Sequence, residues 1–162
     1  MKPKSALLAF AAASLLAACG GGGSAPTDAD PSELMQQGRP DEAVEIIEAR
    51  LAQVEKGTAD EHDLVLDHAK ALSQVDPAKA EKIFVDFAQA NAELVTPRDF
   101  KVVVSYLRTE GAFAEAIDVM HAGKQRWPED KEMVELLELI KADVLKAKDP
   151  ALAAKMKGLG YM

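Results

Sequence analysis

The chain has 162 residues, with 27 acidic against 19 basic side chains and a formal net charge of −8. A hydrophobic share of 48% is that of a globular rather than a disordered chain, and the length suits one domain. A single cysteine excludes an intrachain disulfide framework and a thiolate-based zinc site, and the acidic balance argues against nucleic acid as a partner, because phosphate binding is dominated by Lys and Arg.

Lys2 and Lys4 precede an apolar run from Ser5 to Leu16 that carries no charge. Crossing a bilayer takes roughly 20 apolar residues, so this shorter run has the build of a secretory signal. It closes on Leu16-Ala17-Ala18-Cys19, which resembles a bacterial lipobox. The resemblance implies a signal peptide over residues 1–18, lipid attachment at Cys19 and a protein anchored in the cell envelope. Gly20 in place of Asp after the cysteine implies, within the same resemblance, the outer membrane and a body facing the periplasm. An ordinary signal peptide cleaved within the Ala-rich stretch, with Cys19 incidental, is the alternative.

Residues 19–31 are rich in glycine and read as a flexible tether with an r.m.s. reach of about 20 Å. A phosphate-binding loop would need a preceding strand, a Lys-Ser/Thr pair and a following helix, none of which the sequence offers.

Residues 32–162 form the body, punctuated by Pro and Gly between segments rich in Ala, Glu, Lys and Leu. Asp76-Pro77, Thr96-Pro97 and Asp149-Pro150 each place a capping side chain before a proline at the first helical position. Apolar stripes at helical spacing run through Val44-Ile47-Leu51-Val54, Phe100-Val103-Val104-Leu107 and Met133-Leu136-Leu137-Ile140. The expectation is an all-α domain, with a stunted first helix over residues 32–37 and a long helix over 129–147. That long helix caps the stack, turning Lys131, Glu135 and Lys141 to water. A short segment follows Pro150 and stops at Gly158, leaving Leu159 to Met162 as an apolar tail, packed on the cap helix or offered to a partner.

Ala43, Ala80 and Ala116 lie 37 and 36 residues apart, each opening the second helix of a pair. Three and four residues later come Ile46-Ile47, Ile83-Phe84 and Val119-Met120. A small residue at a helix crossing permits close backbone approach, and the apolar pair behind it closes the core. This pattern resembles the tetratricopeptide repeat family, whose unit is a helix-turn-helix of about 34 residues. From Pro97 to Pro128 the match runs through Phe100, Val103, Leu107, Gly111, Ala116, Met120 and Gly123. The resemblance implies a right-handed α-solenoid of about two and a half to three helix-turn-helix hairpins plus a C-terminal capping helix.

Arg98, Lys101, Ser105 and Arg108 form a polar stripe opposite Phe100-Val103-Val104-Leu107. In the family register they fall on the concave face, where such domains hold peptides. Three cations in line would meet a partner's carboxylates through charge-assisted hydrogen bonds. The alternative is a solvated face, or pairing with acids on an adjacent helix.

His62, Asp63, Asp67 and His68 invite a metal reading. The two histidines are six residues apart, about 600° of helical rotation, and point to different faces, so they read as solvated helix residues. Trp127 before Pro128 is expected to pack into the end of its helix pair, an interface anchor being the alternative. No nucleophile elbow and no His-Glu-x-x-His is present, so no catalytic residue, metal or cofactor is assigned. The functional expectation is a non-enzymatic scaffold or assembly factor holding a protein or peptide partner at a membrane surface. The competing class is an enzyme or small-ligand binder with a pocket between helices.

Overall fold

A computed structural model describes residues 29–162. The segment read as a signal, Cys19 and the tether up to residue 28 lie outside the described residues. Among the described residues there are eight helices and no strand: α1 (Pro31–Gln36), α2 (Pro40–Leu51), α3 (Ala59–Val75), α4 (Pro77–Ala90), α5 (Pro97–Thr109), α6 (Phe113–Arg126), α7 (Lys131–Ala147) and α8 (Pro150–Gly158). None of them is long and apolar enough to cross a membrane.

Local chemistry sets the bounds. Asp76 accepts from the Lys79 amide at 3.0 Å and Asp149 from the Ala151 amide at 2.7 Å, each with proline opening the helix that follows. Thr96 and Asp99 form the capping box of α5, the Asp99 carboxylate accepting from the Thr96 amide at 2.8 Å. α1 and α5 end alike, on a glycine with φ of +73° at Gly38 and +76° at Gly111. The next amide then reaches back to the last turn, Arg39 to Leu34 at 2.9 Å and Ala112 to Leu107 at 2.8 Å. A side chain at either glycine would strain this left-handed stop.

Two expected boundaries move. Asp130 caps α7 by accepting from the Met133 amide at 3.1 Å, so the long helix starts at Lys131 rather than at 129. α2 ends at Leu51, which leaves Val54 beyond it; the buried face of α2 is Ala43, Ile46 and Ile47, with Val44 and Leu51 only partly covered.

Connections of one to three residues join α1 to α2, α3 to α4, α5 to α6 and α7 to α8, so each helix folds back on its partner. Packing then runs between alternate helices. α5 lies between α3 and α7 in one layer, and α6 between α4 and α8 in a second. The expected cap is therefore not the last element, because α8 lies on both α6 and α7. Ala43, Ala80 and Ala116 are wholly buried, as are Ile47, Phe84 and Met120 four residues after them. One core runs from α3 to α8, and a smaller cluster of Leu34, Met35, Ala43, Ile46, Ile47 and Ala71 holds α1 and α2 against α3.

Gly123 marks the tightest approach of α6 to its neighbours. A Cβ there would stand 2.7 Å from the Met133 sulfur and 2.9 Å from a ring carbon of Phe100. That ring is held edge-on between Phe84 and Trp127, at centroid distances of 4.9 and 5.5 Å, and cannot step aside freely. We expect Gly123→Val to lower stability to urea by about 2–3 kcal/mol through overpacking. An unchanged midpoint would show that the α5–α6–α7 contact is looser than described.

Candidate functional site

The stripe expected on α5 is present but divided. Phe100, Val103, Val104 and Leu107 are buried and fix the helix's rotation, which turns Arg98, Lys101 and Ser105 the other way. Arg98 and Lys101 are exposed at a cleft of about 460 Å³ whose other lining residues are Val102, Ser105, Tyr106 and Glu132 of α7. The Ser105 hydroxyl donates to the Lys101 carbonyl at 2.7 Å, so its proton is already committed. Lys70 of α3 lies over the Tyr106 ring, 5.5 Å from its centroid.

Arg108 does not join the other cations at the cleft. Its Nε donates to the Asp143 carboxylate of α7 at 2.5 Å, with both side chains mostly buried. The row of three cations is thus two, and Arg108 ties two helices of one layer together. Tyr106 and Glu132, which complete the cleft, and Lys70, which lies over the Tyr106 ring, were not picked out by the α5 pattern. The Tyr106 and Lys70 contacts arise only when α3 and α5 lie side by side.

The histidines of α3 are not solvated as expected. His68 is buried, with Nε2 3.4 Å from the Glu48 carboxylate of α2. Burial lowers its pKa, and Lys79 adds to this, against the opposing pull of Glu48. His62 is largely covered, with Nε2 3.4 Å from Asp99 of α5. Each histidine turns to a different neighbouring helix, and neither Nε2 makes a hydrogen bond. No group of three His, Cys, Asp or Glu side chains able to hold a metal occurs among the described residues.

Trp127 packs edge-on against Phe100, and the Arg126 guanidinium covers it at 4.4 Å from the ring centroid. α8 ends at Gly158 as expected, and beyond it Gly160, φ +79°, turns the chain so that the Tyr161 amide bonds to the Met156 carbonyl at 3.0 Å. The tail reaches α6, where the Tyr161 hydroxyl lies 2.8 Å from His121 Nδ1, and Leu159 and Tyr161 pack against the main core. A second cleft, about 390 Å³, opens between α4 and α6 over Val85, Ala88, Ala92 and Ala122. Its one charged lining group, Arg126, donates to the Ala88 and Ala92 carbonyls.

Two outcomes follow. Because the folded chain binds a proton at His68 less readily than the unfolded chain, this group's stabilisation is complete above a histidine's ordinary pKa of about 6.5 and is lost as the pH falls below it. Urea midpoints across that range should fall with pH, and His68→Gln should flatten the slope; an identical slope in the variant rules the account out. Arg108→Ala should cost about 1–2 kcal/mol by leaving the mostly buried Asp143 without its cation, which urea denaturation reads directly.

Comparison with known proteins returned no matching family model, no matching curated protein and no matching solved structure.

Proposed function

We propose that the chain is an exported, lipid-anchored helical-repeat protein of the tetratricopeptide type that holds a peptide or protein partner at a membrane surface and performs no chemistry on it. The observation that carries the repeat reading is the spacing of Ala43, Ala80 and Ala116, wholly buried at the start of alternate helices, together with the two layers formed by alternate helices. A stack of this kind buries its apolar faces only between neighbours and leaves one helix layer free to line a binding surface. The reading of the anchor rests on Leu16-Ala17-Ala18-Cys19 and the Gly-rich segment after it. Two acyl chains hold a protein to a bilayer where one is marginal, so no basic patch beside Cys19 is needed. Residues 19–28 then set the body off the surface, the chain from Ala29 on belonging to the body, where Asp30 caps α1 and Pro31 is buried; the outer membrane, facing the periplasm, is the site this reading favours.

The partner surface is the α5–α7 cleft, and Arg98 and Lys101 are its cations. Neither forms an ion pair with any described residue, whereas Arg108 is occupied by Asp143. A cation with no internal partner stays available to an incoming carboxylate, and charge-assisted hydrogen bonds of that kind are the stronger ones.

Two measurements test the proposal. Labelled fatty acid should enter the chain in a bacterial host and be lost in Cys19→Ala; equal labelling of the variant refutes the anchor. Arg98→Glu combined with Lys101→Glu should reduce partner capture from detergent-solubilised envelopes at least about tenfold, with helicity by circular dichroism unchanged. Capture that survives this reversal places the partner elsewhere on the molecule.

A further inference from the structure

The cleft holds one carboxylate that no described residue answers. α7 carries four acids, and three of them meet a cation: Glu135 faces Lys131 at 3.7 Å, Glu138 faces Lys141 at 2.8 Å and Asp143 faces Arg108 at 2.5 Å. Glu132 is the fourth. Its Oε2 is buried and makes no hydrogen bond, and no described cation lies within ion-pairing distance. An oxygen removed from water without a donor is costly, and buried polar atoms are almost always hydrogen-bonded, so the exception at Glu132 calls for an explanation. Glu132 lines the same cleft as Arg98 and Lys101, so the site presents both signs of charge within one depression beside the Tyr106 ring.

We propose that this cleft selects a peptide segment of mixed charge, in which a Lys or Arg side chain donates to the Glu132 carboxylate while a neighbouring Asp or Glu is held by Arg98 and Lys101. The inference rests on the reading of the α5–α7 cleft as the partner surface and names what the partner must present there. A purely acidic segment satisfies the two cations but brings like charge towards Glu132 and leaves its orphan oxygen unanswered. A purely basic segment has the reverse fault at Arg98 and Lys101. Selection by the unmatched group is the stronger effect, because a buried polar atom left unpaired penalises the wrong ligand more than a good contact rewards the right one. Ser105 adds little discrimination, since its hydroxyl proton is taken by the Lys101 carbonyl.

The test is an NMR titration of the full chain with end-blocked peptides on one Ala-Gln background, carrying Glu alone, Lys alone, or one Lys and one Glu at varied separations. A mixed peptide is expected to bind tightest and to shift the amides of Lys101, Ser105, Tyr106 and Glu132. Glu132→Gln should weaken that peptide about tenfold or more and should let the Glu-only peptide bind more tightly than it does to the unchanged protein. If the Glu-only peptide binds the native chain as well as any mixed one, or Glu132→Gln leaves the mixed peptide unaffected, the mixed-charge inference fails while the partner surface stands. If no peptide moves those amides, both fail together. Circular dichroism of Glu132→Gln shows whether the variant is folded, and Glu132→Asp, which keeps the charge but draws it back, should give an intermediate affinity.

Discussion

The arrangement depends on how closely the even-numbered helices approach their neighbours. Ala43, Ala80 and Ala116 present only a methyl group where a larger side chain would hold the helices apart, and all three are wholly buried. The bulk that fills the space behind them comes four residues later, from Ile47, Phe84 and Met120. The series extends once more, to Ala153 of α8, 37 residues after Ala116, with buried Met156 three residues on. Ala153 is only partly covered, as expected for the final member of a row with no helix on its outer side.

Burial of apolar surface is non-directional and does not by itself choose which turn of one helix faces which turn of the next. Polar contacts between alternate helices supply that choice. Lys79 meets Glu48 between α4 and α2, Arg126 meets the Ala88 carbonyl between α6 and α4, and Lys155 meets Asp118 between α8 and α6. In the other layer His62 stands by Asp99 and Arg108 by Asp143. Half-exposed pairs such as Lys79–Glu48 contribute little to stability singly. Their effect is on register, which is what a cleft assembled from two separate helices requires.

The helices themselves were legible because their starts are written locally, in Asp76-Pro77, Thr96-Pro97 and Asp149-Pro150, and their rotation in stripes such as Phe100-Val103-Val104-Leu107. The alanine period was legible for the same reason. The misread residues are those whose environment comes from a distant helix. His68 sits among Asp67, Lys70 and Asp63 in the sequence and so reads as wet, yet α2 covers it and supplies Glu48. Arg108 looks free on α5 because Asp143 is 35 residues away. The signal that would have found it is the repeat itself: opposite charges about one period apart, as Lys155 and Asp118 are at 37 residues. The stop of α8 at Gly158 was legible, whereas the contact of Tyr161 with His121, 40 residues away, was not.

The same offset explains why the cleft keeps its charges. Between α5 and α7 the aligned positions differ by 35 residues, as Arg108 and Asp143 show. Applied to Arg98 that offset reaches Met133, and applied to Lys101 it reaches Leu136, both buried in the core and unable to answer a cation. Applied backwards from Glu132 it reaches Pro97, which has neither charge nor a backbone N–H to donate. The nearer acids of α7, Glu135 and Glu138, face Lys131 and Lys141 on their own helix. The packing that pairs the far end of α5 with α7 therefore leaves its near end unmatched. Charges stranded in that way, two of one sign and one of the other around a single depression, are the part of this surface that folding does not consume.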